Sequence, residues 1–172
     1  VYGLGADALN KTASTKIYAA KGRPSDNPLI VHITNMGALD KIADIIPEVA
    51  YKVADAYWPG PLTMIFQKTE EVPYETTGGL DTVAVRMPSD EIARALIDAG
   101  GGYIAAPSAN TSGRPSPTKA EHVEEDLSGK IEMILDGGAV DIGVESTILD
   151  MTVTPPMILR PGAITKEMLT EL

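Results

Sequence analysis

A chain of 172 residues and 18.2 kDa carries 14 Lys plus Arg against 24 Asp plus Glu, a formal net charge of -10. Hydrophobic residues make up 44%, Cys is 0, and no window approaches the ~18 uninterrupted apolar residues that a spanning helix needs. These figures exclude wholesale disorder, a disulfide framework, a thiolate nucleophile and an indiscriminate nucleic-acid coat, which needs a basic face. A chain of this length buries roughly 70% of its unfolded surface, enough for one core, so one domain is expected. The lack of Cys fits a cytoplasmic protein.

The elements can be read in chain order. Val1 to Gly5 reads as the end of a strand entering a turn, and residues 6–20 as a helix. Lys21 to Pro28 is a loop, and Leu29 to Ile33 a short buried strand. Helices are expected near 37–45 and 47–57. In the second, Val49, Ala50, Val53, Ala54 and Tyr57 recur at helical spacing behind Pro47. Trp58-Pro-Gly-Pro61 is a rigid break. Strands follow over 62–67 and 82–87, then a helix over 90–99 capped by Ser89. Residues 103–106 read as a strand and 108–117 as a polar loop. Thr118-Lys-Ala-Glu121 has the form of a capping box that opens a helix to about residue 127. Strands are expected near 131–135, 146–151 and 157–160, and Thr165 caps a terminal helix. This mixture predicts one α/β domain with a mixed sheet and flanking helices, in which some strands pair antiparallel.

The charge is uneven. Residues 1–60 carry 6 basic and 6 acidic groups, and residues 121–172 carry 3 and 11. One reading is a solvated acidic face near the C-terminus. The other is that the locally basic N-terminal portion faces an anionic ligand.

Several common chemistries fail on motif. Gly3-Leu-Gly5-Ala-Asp-Ala8 is only a loose dinucleotide fingerprint, and no Walker A sequence occurs. No GxSxG elbow supports a hydrolase, and His32 and His122 lack ligand spacing, so no metal is assigned to protein side chains. Other residues are more informative. In an extended segment Lys21 and Arg23 would point the same way and converge on one anion, or else both face solvent. Ser108 and Asn110 share that spacing after an apolar strand, where open α/β sheets bind ligands; a turn or cap is the alternative. Arg86 ends the apolar strand 83–87, and Arg160 follows Met157-Ile-Leu159. Each calls for an internal salt bridge or for a carboxylate or phosphate ligand. His32, within Leu-Ile-Val-His-Ile, is either a satisfied core histidine or a ligand.

In this order the pieces resemble the YrdC-like family of L-threonylcarbamoyladenylate synthases. The matching stretches are VYGLGADA at 1–8, IYAAKGRPSDNPLIVHI at 17–33, WPGPLT at 58–63 and VAVRMPSD at 83–90. They continue with PSANTSGRPSPT at 107–118, ILDGG at 134–138, GVESTILD at 143–150 and ILRPGAIT at 158–165. The resemblance implies one domain over residues 1–172, a twisted α/β sheet with a large concave cationic cavity. It implies an ATP-dependent enzyme that joins L-threonine, bicarbonate or CO2 and ATP into threonylcarbamoyl-AMP and pyrophosphate. A separate complex then transfers the group to the tRNA adenosine beside the anticodon.

By the same resemblance Lys21 and Arg23 are the catalytic cations. Arg23, Asn27, Thr82, Asn110, Thr118 and Arg160 contact ATP, and His32, Arg86, Ser108 and Ser146 contact L-threonine. Mg2+ is expected with the ATP. The glycine- and proline-rich segment 111–117 is the candidate shield for a labile acyl-adenylate. The family reads Pro-Thr-x-Thr before Val-Tyr-Gly, and that stretch is absent, so an N-terminal segment is expected to be missing. Two other readings stand beside this one. They are a carbamoyl-adenylate-forming domain and a non-catalytic module for double-stranded or structured RNA, including tRNA.

Overall fold

The computed structural model describes residues 1–140 and 143–172. Alternation in two central strands sets the architecture. β3 (Leu62–Gln67) sends Leu62, Met64 and Phe66 into the core, and β4 (Thr82–Arg86) sends Val83 and Val85. The intervening side chains go to the opposite face. β1 (Ala6–Asp7), β2 (Ile30–His32), β5 (Ile104–Ala105), β6 (Thr147–Asp150) and β7 (Met157–Arg160) complete a seven-stranded sheet in the order β1-β5-β2-β4-β3-β6-β7. The β2–β4 and β3–β6 pairs are parallel and the other neighbours antiparallel, so the sheet is mixed as expected.

The helices α1 (Lys11–Lys21), α2 (Leu39–Ile42) and α3 (Glu48–Tyr57) cover one face. Their residues Ile17, Leu39, Ile42 and Val53 join Val31, Met64, Phe66, Val85 and Leu149 in one buried cluster. Each such aliphatic or aromatic side chain stabilises the fold by about 1.5–3 kcal/mol. Further helices lie at α4 (Tyr74–Thr77), α5 (Glu91–Ala99), α6 (Ala120–Leu127) and α7 (Lys166–Thr170). No helix of the described residues is long and apolar enough to cross a membrane.

The structure corrects several boundaries. The first helix starts at Lys11, not residue 6, because Ala6 and Asp7 pair with β5 and the Asn10 side chain caps Thr12 and Ala13 N–H. The expected helix over 37–45 is a 3-10 turn (Met36–Ala38) followed by α2. Ala43 leaves it to bridge Lys68, so sheet pairing overrides helix propagation. α5 is capped by Asp90, whose Oδ1 accepts from Ala93 N–H at 2.8 Å, and not by Ser89. Thr118 caps nothing, for α6 begins after Lys119 with no side-chain cap, and the Thr118 carbonyl accepts from Val140 N–H instead. Among the described residues, 131–135 join no ladder. Ile131 and Ile134 pack on Val123 and Leu127 of α6, a spacing of three rather than a strand's two. The Thr165 cap is present, with Oγ1 accepting from Met168 N–H at 3.2 Å.

Candidate active site

A line of residues crosses the sheet on the face away from the helical core. His32 lies opposite Arg86, Arg86 opposite Thr63, Thr63 opposite Ile148, and Ile148 opposite Arg160. Directly opposed residues share a face, so four polar side chains stand in one rank. Arg160 belongs to it because of a register shift in β7. Ile158 pairs with Leu149 on the core side, and the extra Leu159 turns Arg160 back toward the site.

The rank is strongly cationic. Arg86 Nε donates to the Gly60 carbonyl at 3.2 Å, and among the described residues Arg86 has no carboxylate partner. Burial first, and Arg160 second, lower its pKa. Arg160 donates from Nε and Nη2 to the Ser146 carbonyl at 3.0 and 2.9 Å and pairs with Glu145 at 2.8 Å. Gly162 allows this packing, because a Cβ there would stand 2.7 Å from the Glu145 carbonyl and 2.6 Å from Thr147 N. Ser146 Oγ lies 2.7 Å from Thr63 Oγ1 and accepts from Arg160 Nη2 at 3.2 Å. Burial and then Arg86 push the His32 pKa down to about 4, so it is neutral at pH 7. Its Nδ1 lies 3.1 Å from the Ile30 carbonyl, and the Ile104 backbone also bonds the ring; both oppose the fall in pKa.

A second group gathers at the end of α1. Gly22 adopts the left-handed conformation (φ 63°) that stops the helix, and Arg23 N–H bonds back to the Tyr18 carbonyl. Lys21 and Arg23 therefore approach each other around a helix C-terminus and not along an extended segment. That end of a helix favours a cation. Lys21 is 3% exposed, and its Nζ donates to the Ser108 carbonyl and to Asn110 Oδ1 at 3.5 Å. Burial, then Arg23, lower its pKa to about 8, with Asp126 opposing. Arg23 Nη2 donates to the Pro28 carbonyl at 3.3 Å, and the Asn27 amide oxygen, turned toward it, accepts from Nε and Nη2 at 3.2 Å.

Residues 1–3 link the two groups. Gly3 bridges Ser108, and the backbone nitrogen of Val1 lies within electrostatic reach of Arg86. Two extended residues span about 7 Å, so both groups edge one region of the sheet. The structure thus assembles Lys21, Arg23, Asn27, Ser108 and Asn110 at one end and His32, Arg86, Ser146 and Arg160 at the other. Ser108, expected with the threonine contacts, stands by Lys21. Arg160, expected with the ATP contacts, stands by Ser146 and Arg86. Thr82, at the start of β4, pairs with Gln67 of β3, and among the described residues no hydrogen bond ties its side chain to either group. Among the described residues no hydrogen bond ties Thr118 to either group; its N–H meets His122 Nδ1 at 3.4 Å. Sequence reading missed Thr63 and Asp126. Thr63 had a signal, since it sits out of phase with Leu62, Met64 and Phe66. Asp126 had none, for it is one of several acids on α6.

Comparison with known proteins agrees with the sequence resemblance. A family model described as telomere recombination, covering Sua5, YciO and YrdC, matches residues 1–162. A threonylcarbamoyl-AMP synthase of Pyrococcus abyssi is 58% identical over 167 residues, 97% of this chain and 49% of that protein. One of Bacillus subtilis is 55% identical over 168 residues, again 97% of this chain and 49% of that protein. The crystal structure of P. abyssi Sua5 complexed with L-threonine superposes with a TM-score of 0.96 at 57% identity, over 99% of this chain and 50% of that one. The chain spans about half the length of the curated relatives it matches. With its mixed sheet and its cross-sheet cationic rank, this chain belongs to the Sua5/YciO/YrdC family.

Proposed function

We propose that this chain makes L-threonylcarbamoyl-AMP from L-threonine, bicarbonate or CO2, and ATP, releasing pyrophosphate. The observation that carries the reading is Arg86, a guanidinium in a partly buried site with Arg160 nearby and no carboxylate partner among the described residues. A charge in that setting fits an anionic ligand, and the planar fork fits a carboxylate. The relatives' names and the threonine complex of P. abyssi Sua5 support the choice of substrate.

In this reading the threonine amine is first carboxylated to a carbamate. A carbamate oxygen attacks the α-phosphorus, and the P–O bond to the leaving pyrophosphate breaks. Arg86 holds the threonine carboxylate, with neutral His32, Ser108 and Ser146 as its other contacts. Lys21 and Arg23 meet the triphosphate, and Asn27, Thr82, Asn110, Thr118 and Arg160 contact the nucleotide. Three anions must converge, and fixed cations offset a repulsion of about several kcal/mol in a water-poor site. The remaining work is positioning. Mg2+ is expected with ATP. No group of three His, Asp or Glu among the described residues is fit to hold it, so its ligands would be triphosphate oxygens and water. The region between the two groups serves as the cationic cavity, and the adenylate passes to a tRNA-modifying transfer complex in the cytoplasm.

Threonine- and bicarbonate-dependent pyrophosphate release from ATP tests the reading. Lys21→Ala and Arg23→Ala should each lower turnover by about 10²-fold or more, the scale of losing a preorganised charge-stabilising donor. Near-wild-type turnover in both variants removes these residues from the site.

A further inference from the structure

Asp126 lies on α6, and its side chain is 7% exposed. Each of its carboxylate oxygens has a partner. Oδ2 accepts from Thr111 N–H at 3.0 Å, and Oδ1 pairs with Arg114 Nη1 at 2.7 Å. Both partners belong to the loop that follows Ser108 and Asn110. The Asn110 amide nitrogen donates in turn to the carbonyls of Arg114 at 2.8 Å and Thr111 at 3.0 Å. Those two bonds fix which way the amide points and so leave Asn110 Oδ1 directed at Lys21 Nζ. Ser112 N–H closes the circuit on the Lys21 carbonyl at 2.9 Å.

We propose that Asp126 is a positioning residue for Lys21, seating its ammonium through the 110–114 loop and offsetting that cation's burial with its own negative charge. Asp126 touches neither Lys21 nor any reacting atom. The proposal rests on the synthase reading only for its consequence in catalysis; the effect on Lys21 is independent of it. The charged groups acting on Lys21 are Arg23, from the loop after α1, and Asp126. Those acting on Asp126 are Arg114, from the loop, and Lys130, just past α6, and the Thr111 N–H leads in holding its carboxyl below the ordinary range. Removing the Asp126 charge thus leaves Lys21 with Arg23 alone, and its ammonium loses its proton at lower pH.

The test is a titration of Lys21 in the whole chain carrying 13C-labelled lysine, with the Lys21 signal assigned by its loss in Lys21→Arg. In Asp126→Asn, which keeps an acceptor for Thr111 N–H, Lys21 should titrate lower by about half a pH unit or more. Asp126→Glu should restore most of that difference, and both variants should keep the wild-type melting transition within a few degrees. Wherever pyrophosphate release is measurable, the alkaline fall of kcat/KM for ATP should move with the titration while KM for threonine stays put. A Lys21 titration unchanged in Asp126→Asn, or equally shifted in Asp126→Glu, overturns the proposal. Should Asp126→Asn lose its fold, Arg114→Ala carries the same test through the loop alone, and an unmoved Lys21 signal there counts against the seating. A shifted titration in a chain that releases no pyrophosphate would instead count against the synthase reading and leave the proposal standing.

Discussion

At the scale of the residue, the site is a set of side chains whose charge states are fixed by what surrounds them. Arg86 has a backbone carbonyl and no counter-ion among the described residues, so its affinity is left for a ligand. Arg86→Ala should raise KM for threonine by about 10-fold or more while changing KM for ATP little, the scale of losing a charge-assisted hydrogen bond. Steady-state kinetics in each substrate checks the split, and equal effects on both would move Arg86 out of the threonine contacts. His32 supplies a stability test. Its pKa in the fold is about 4, against about 6.5 in the unfolded chain. The unfolded chain binds the extra proton first, so this contribution is full above pH 6.5 and is lost as pH falls toward 4. Urea unfolding at pH 7 and pH 5 should show a loss of about 1–2 kcal/mol that His32→Gln lacks. The residue types were legible in the sequence: Lys21, Arg23, Arg86 and Arg160 stood out as cations in apolar or Pro-flanked settings. Their grouping was not. It depends on the β2–β4–β3–β6–β7 register and the shift at Leu159, which no local spacing reports.

At the scale of the element, boundaries failed where tertiary pairing competes with local propensity. Leu62–Gln67 read correctly because Pro61 opens its alternation, and Met157–Arg160 because prolines flank its apolar run on both sides. The helix expected at residue 6 failed because two of its residues find a β5 partner 98 or so positions away, and the strand expected near 131 failed because α6 takes its isoleucines. One contact joins elements that carry the site. Arg94 of α5 donates to the Pro88 carbonyl and to the Thr34 carbonyl, both at 3.0 Å. These carbonyls lie two residues beyond Arg86 and His32, so α5 pins the exits of β4 and β2 together. Arg94→Ala should lower stability by about 1–3 kcal/mol, because it strips two carbonyls of a charged donor. Chemical denaturation measures that loss, and a change below about 0.5 kcal/mol would mean that water replaces the guanidinium.

At the scale of the molecule, the net charge of -10 and the cationic site are compatible because few of the acids meet the site: among the described residues Glu145 pairs with Arg160 and Asp126 acts on Lys21. The acid excess lies after residue 120, much of it on α6, where Glu121, Glu124 and Glu125 are exposed. The site draws its cations from residues 21 to 86 and from Arg160. Beyond a screening length of about 8 Å at physiological salt the acids do little to a small ligand inside the site. A long polyanion would meet them. Double-stranded RNA should therefore show no gel shift at micromolar chain in physiological salt, since binding of that kind needs many phosphate contacts at once. A salt-sensitive shift would revive the RNA-binding reading. The acid excess was visible from composition, whereas the placing of Asp126 and Glu145 against site cations needed the fold.

The alternation along β4 has a further consequence. Val83 and Val85 serve the core, while Thr82, Ala84 and Arg86 face the site. Within five consecutive residues, inheritance of the fold and inheritance of the chemistry are written on interleaved letters. A lineage can drift in one set without disturbing the other, so descendants of one ancestral sheet are free to keep its architecture while changing what it recognises.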